Sequence, residues 1–195
     1  PMQYGCDIDW SKSFFQQIEE LKLQVPWAAR SLIRCTNSDY SNNCADMKSC
    51  YLCFNADQCE DSMYGVGLMQ IKNCVDVFRC TESELLYDSF GTFKSYQCFF
   101  NTACRDNRNV WLSYDCEDCS DCFGCVNLRH KKYNIFNKQY TEDEYWPLLD
   151  EIKTAMLERG EYGQFFSYQQ SAYPYNASLS QIMYPLSEAQ VKSLG

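Results

Sequence analysis

Cys116-Glu-Asp-Cys119-Ser-Asp-Cys122-Phe-Gly-Cys125 places four cysteines at a strict interval of three. Seventy-two residues earlier the chain reads Cys44-Ala-Asp-Met47-Lys-Ser-Cys50-Tyr-Leu-Cys53, the same pattern with methionine in second place. Cys74, Val77 and Cys80 repeat the interval between them. Self-similarity at a fixed period marks an architecture of stacked repeats. Aromatic residues keep a related beat: Tyr51, Tyr64, Phe78, Tyr87, Phe99, Trp111 and Phe123 advance by 13, 14, 9, 12, 12 and 12. Twelve residues are too few for a pair of helices, and no helical stripe persists from Cys44 to about Leu128. The spacing predicts a mostly β fold, a short cysteine-rich β-solenoid in which a rung of twelve forms one side, or half a coil. Segments around the aromatics (Ser49 to Phe54, Asp76 to Cys80, Gln97 to Asn101, Asp121 to Asn127) read as strands. The Asn, Asp, Ser and Lys between them read as turns. Cysteine suits such an interior because it is small, soft and readily buried.

Outward from the repeats the chain divides into four stretches. Residues 1–36 predict an N-terminal helix with a lead-in: Ser11 or Ser13 caps, Phe14, Ile18, Leu21 and Val25 recur at helical spacing, and Pro26 stops the pattern. Residues 37–140 hold the solenoid, with polar Asn37 to Asn43 as a connector or degenerate first coil and Tyr133 to Tyr140 as a closing strand. Residues 141–161 predict a C-terminal helix opened by the capping box Thr141-Glu-Asp-Glu144 and stopped at Gly160. Pro147 predicts a late start or a kink there. Both helices are expected to cap the solenoid, whose ends would otherwise be open edges. Residues 162–195 form a tail that carries no charge from Tyr162 to Ser187, too aromatic for a free linker. It is expected to wrap the solenoid.

Composition bounds the rest. A chain of 195 residues predicts one domain, large enough to bury a core without disulfides. Net charge of −9 leaves no basic stripe for a nucleic-acid backbone. No run of eighteen apolar residues predicts a membrane span. The start at Pro1, without methionine or a signal-like segment, reads as a processed or partial chain.

Several segments resemble an uncharacterised cysteine-rich repeat family of environmental candidate-phylum bacteria. They are Tyr4-Gly5 through Asp9-Trp-Ser11, Phe14-Phe15, Val25-Pro26, Asn73-Cys-Val-Asp76, Cys122 to Arg129, Phe136-Asn-Lys-Gln-Tyr140, Gly163-Gln-Phe-Phe166, Tyr175-Asn176 and Tyr184-Pro-Leu-Ser187. The resemblance covers nearly the whole chain and is most specific at Phe136 to Tyr140. It implies zinc-ribbon-like cysteine pairs upstream of the first helix, where this chain has only Cys6. It implies no activity, substrate or catalytic residue. Several rungs carry Val66, Ser89, Asn101 or Ser113 where others have cysteine.

The sharpest chemical signal is Cys116, Cys119, Cys122 and Cys125. Four thiolates could hold zinc or an iron–sulfur cluster. Yet ferredoxin-type runs have a longer last spacer followed by proline, and zinc sites pair two knuckles across a loop. Stacked core thiols are the favoured reading, with metal ligands and disulfides as alternatives and no cofactor favoured. His130, the one histidine, could activate Cys122 or Cys125, but no third orienting group accompanies it. Glu60-Asp61 and Glu117-Asp118 fit solvated turns, and Gly65-Val-Gly67 lacks the following helix of a dinucleotide loop. The tail aromatics Phe165, Phe166, Tyr168, Tyr173, Tyr175 and Tyr184 are the interaction candidates, since tyrosine offers large contact area with a polar handle. The chain is expected to be a structural or protein-interaction module with a protein partner or self-assembly, leaning away from an enzyme. A metal-binding module is the alternative.

Overall fold

A computed structural model describes residues 2–171, 173–178 and 180–193. Eleven short strands form one continuous sheet in chain order: β1 (Leu32–Ile33), β2 (Asn42–Ala45), β3 (Tyr51–Asp57), β4 (Met63–Val66), β5 (Val75–Phe78), β6 (Glu84–Phe90), β7 (Tyr96–Phe99), β8 (Arg108–Trp111), β9 (Ser120–Phe123), β10 (Lys132–Ile135) and β11 (Lys138–Gln139). Each pairs in parallel with the next at an offset of twelve, Tyr51 with Met63 and Met63 with Val75, until β11 turns back antiparallel on β10. The expected solenoid is present. Its period corrects the reading of twelve as a side or half a coil: twelve residues complete a whole coil.

The reason lies in the backbone. From Arg34 to Phe136 every third residue has positive φ, near 50°. Each such residue turns the chain, so a coil is four sides of three residues. This conformation costs most L-residues about 1–2 kcal/mol and is easiest for Gly, Asn and Asp. Those three types occupy roughly half of the turning positions, Asn37, Asn43, Asp46, Asn73 and Gly124 among them. Gly124 has a second reason, because a Cβ there would come within 2.8 Å of the Phe136 ring stacked one coil above. Neighbouring N–H groups bond in opposite directions: Lys72 donates to Ser83 of the coil after (3.1 Å), and Asn73 to Glu60 of the coil before (3.1 Å). Each coil is thereby stitched to both neighbours.

The residue after each turn points inward, which explains the interval of three in the sequence. Four inward columns result, and they run through Cys44, Met47, Cys50 and Cys53 in one coil and Cys116, Cys119, Cys122 and Cys125 in another. Ser89, Asn101 and Ser113 lie inward in the Cys53–Cys125 column and so replace cysteine in place. Val66 does not; it faces outward, and Gly65 holds the inward position.

Two helices flank the sheet. α1 (Phe14–Gln24) is capped by the Ser13 side chain and ends at Val25, as its sequence predicts. It buries no residue, so it does not cap the solenoid. α2 (Glu142–Arg159) opens with the Thr141–Glu144 capping box, passes through Pro147 without ending, and stops at Gly160 with φ 71°. It does pack. Tyr145 and Leu149 are buried against Phe123 and Ile135, with Tyr133, Leu148, Ile152 and Met156 around them. Two short helices, α3 (Ser180–Met183) and α4 (Glu188–Ser193), lie in the tail. Among the described residues no helix is long and apolar enough to cross a membrane.

Candidate functional site

The interior is built by side chains that answer the backbone. An inward thiol donates to the carbonyl two residues before it and to the one nine residues after. Cys116 reaches Tyr114 O (3.6 Å) and Cys125 O (3.5 Å), and Cys125 reaches Phe123 O (3.5 Å) and Asn134 O (3.4 Å). Oxygen-bearing residues in the same columns also accept the N–H one coil on. Ser41 accepts from Cys53 N (3.1 Å), Ser62 from Cys74 N (3.2 Å), and Asn107 from Cys119 N (2.9 Å). Asn134 Oδ1, in the last coil, is buried with no partner, because no further coil supplies an N–H. Cysteine, serine and asparagine thus share a reason to stand inward: each places a donor beside a backbone carbonyl of the coil.

The thiols titrate accordingly. Burial pushes Cys59, Cys74 and Cys98 up to about 12, against the opposing pull of the N–H one coil on, at Ile71, Leu86 and Val110. In the four-cysteine coil neighbouring thiols act on one another's proton affinity. Cys119 lies between Cys116 and Cys122, whose S–H groups draw it down. Cys116 is pushed up by its bonds with Cys104 and then Cys119, and Cys122 by its bonds with Cys119 and Cys125.

Cys116, Cys119, Cys122 and Cys125 do come together, as the four walls of one coil, each at most 2% exposed. Among the described residues no group of three or more His, Cys, Asp or Glu is placed to hold a metal ion. All fourteen cysteines are free; Cys6 is exposed, Cys35 is half-buried and the other twelve are buried. A thiol reagent added to the native protein should therefore modify Cys6 fast, Cys35 slowly and the rest only on unfolding. Mass spectrometry after denaturation without reductant should count fourteen adducts. Fewer would mean disulfides or a tightly held metal.

His130 is not placed to activate a cysteine. It stands outside, its side chain 75% exposed, with Nδ1 2.6 Å from Asp118 one coil below, while Cys122 and Cys125 face the interior. Other outward columns carry similar ladders: Lys48 with Glu60 (2.6 Å), Lys72 with Glu60 (3.6 Å), and Asn43 with Asn55 (2.7 Å). Such exposed pairs are each worth only a few tenths of a kcal/mol. They mark solvated faces.

The outward aromatics form a different kind of surface. The seven that the spacing joined do not share one column: Tyr51, Tyr87, Phe99, Trp111 and Phe123 do, while Tyr64 is one position on and Phe78 three. The steps of 13, 14 and 9 are column changes that cancel. The true column is Tyr51, Met63, Val75, Tyr87, Phe99, Trp111, Phe123 and Ile135, apolar over eight coils. A second runs through Phe54, Val66, Phe78 and Phe90, where Phe78 and Phe90 stack at 5.5 Å and 4°. Sequence reasoning missed these as surfaces, although counting apolar residues at offsets of twelve would have found them.

α2 occupies one end of the first column. Tyr145 packs on Tyr133 (5.6 Å), Lys153 lies over Trp111 (4.3 Å), and Tyr162 follows on the same indole (6.4 Å). Under the helix Phe123 and Ile135 are 3% and 2% exposed; beyond it Tyr51, Met63 and Tyr87 are each 39% exposed. The tail covers little more. Phe165, Tyr168, Tyr173 and Tyr184 are exposed, with Phe166 and Tyr175 half-buried. Tyr175 organises the tail locally, its hydroxyl bonding Tyr184 O (2.7 Å) and Leu186 N (2.8 Å).

Fold and surface together define a cysteine-rich β-solenoid protein with an open aromatic flank. No family model matches the chain, and no curated protein does. Among solved structures it is similar to a Bacillus cereus protein assigned as an acetyltransferase, at 11% identity over 70% of this chain and 94% of that one, TM-score 0.21. It is also similar to a hexapeptide transferase family protein from Anaplasma phagocytophilum, at 13% identity over 69% and 95%, TM-score 0.18.

Proposed function

We propose that this chain is a non-enzymatic structural or protein-interaction module, built as a rigid rod whose aromatic flank seats protein. The observation that carries the reading is the contrast along one column. Where α2 lies on it Phe123 and Ile135 are buried, and beyond it Tyr51, Met63 and Tyr87 face solvent, with Val75 and Phe99 half-buried. Large contiguous apolar surface is costly to leave in water and marks a contact face. The cysteines support the reading by being consumed in backbone bonding inside the rod.

A photo-reactive residue at Phe90, on the flank, should cross-link in the producing cell to protein of one discrete mass. The same residue at Gln58, on a polar column, should give none. Equal and diffuse products from both positions would overturn the proposal.

A further inference from the structure

We propose that the uncovered column from Tyr51 to Phe99 is a docking surface for α1 of a second copy of this chain. The inference rests on the reading of the flank as a contact face and names its occupant. The site continues an interface already present. α2 presents Tyr145, Leu149, Ile152 and Met156 to Trp111, Phe123 and Ile135, a stripe at i, i+4, i+7 and i+11. α1 presents Phe14, Ile18 and Leu21, the first three places of the same stripe, with Val25 as its extended C-cap, again led by two adjacent aromatics (Phe14-Phe15 as Tyr145-Trp146). Among the described residues α1 buries none of that stripe: Phe14 is 68% and Ile18 39% exposed, with Leu21 and Val25 half-buried.

The dimensions agree. Eleven helical residues span about 17 Å at 1.5 Å each. The four coil steps from Tyr51 to Phe99 span about 19 Å at roughly 4.8 Å each. The column beyond α2 thus has room for one helix of α1's length. The affinity of such a helix comes from apolar area, as in other helix-in-groove contacts. The chain also enters the solenoid at Leu32 and Ile33, on the opposite side from the Tyr51 column, so α1 would have to cross the open end to reach its own ladder. A second copy has no such detour. Because α1 and the ladder are different surfaces of one chain, the contact is heterologous and can propagate from copy to copy.

Sedimentation velocity over a wide concentration range tests this. The intact chain should self-associate. Ile18→Glu in α1 and Tyr87→Glu in the ladder should each weaken association about a hundredfold or more, because each buries an unpaired carboxylate. Both positions are at the surface, so the fold should survive, as near-ultraviolet circular dichroism of the buried Tyr145 region can verify. Leu23→Glu, on the opposite face of α1, should change nothing. Mixing the two defective variants should restore a heterodimer, since one keeps a working helix and the other a working ladder. A chain that stays monomeric throughout overturns the proposal, as does association indifferent to both substitutions, or a monomer whose α1 is protected from hydrogen exchange at every dilution. Should the chain be monomeric while Phe90 still cross-links to a discrete foreign protein, self-docking falls and the interaction module stands.

Discussion

Between pH 8 and pH 10 the stabilisation supplied by Cys59, Cys74 and Cys98 should fall by about 4 kcal/mol, from linkage of somewhat over ~1 kcal/mol per thiol. Burial holds these thiols protonated to about 12, from an ordinary value of 9.0. The unfolded chain releases its protons from about pH 9 upward while the native chain keeps them. Stability from these groups is therefore complete below pH 9, declines above it, and stops declining near pH 12, where the native thiols ionise too. The three are 2%, 0% and 0% exposed, so little solvent screening reduces the effect. The measurement is urea unfolding of the wild type against the triple variant Cys59→Ser, Cys74→Ser, Cys98→Ser at each pH. Serine already stands in these columns at Ser38, Ser62, Ser83 and Ser95, so the variant should fold. Taking the difference isolates these thiols from the coupled ones around Cys119. A difference independent of pH would show that the columns admit water.

The interval of three was legible because Cys recurs at inward positions, with Ser and Asn among them, although Leu68, Ile71, Val77, Leu86 and Val110 stand there too. Their common cause was not. Burial preference accounts for cysteine but predicts Val or Ala equally well, and only the geometry shows that Asn107 and Ser62 accept N–H groups from the next coil. The four-sided coil was hidden as well. Positive φ at Leu52, Leu85, Phe100 and Tyr133 contradicts local preference, and the coil-to-coil bonds impose it. α2 was readable from its capping box and Gly160, because caps are local chemistry. The packing of α1 was not readable, since its stripe equals that of α2 and the difference lies in what each can reach. His130 beside Cys122 in sequence suggested a pair. A turn every third residue sends neighbours to opposite sides of the wall, so adjacency in this chain does not imply contact.

Asn101→Ala should be among the most damaging single substitutions, at about 4 kcal/mol, from two buried backbone groups each losing its partner at about 1–3 kcal/mol. The Asn101 amide is fully buried and works in both directions: Nδ2 donates to Val110 O at 2.6 Å, and Oδ1 accepts from Ser113 N at 2.9 Å. Alanine removes both bonds and leaves a gap in the column. Asn101→Ser should cost about half as much. Its hydroxyl can take the N–H of Ser113, as Ser89 takes that of Asn101 (3.4 Å), but it is too short to reach Val110 O. Asn101→Cys should cost least. Cys98 and Cys104, in the neighbouring columns, reach the carbonyl nine residues on at 3.7 and 3.6 Å, and the backbone N–H one coil ahead, at Val110, pulls on the Cys98 sulfur. The order Ala, Ser, Cys from worst to mildest runs against residue polarity, because asparagine is closer to serine than to cysteine. Chemical denaturation of the three variants decides it. Should cysteine prove no better than alanine, the columns select for size alone, and the account of the interior as a donor–acceptor ladder fails.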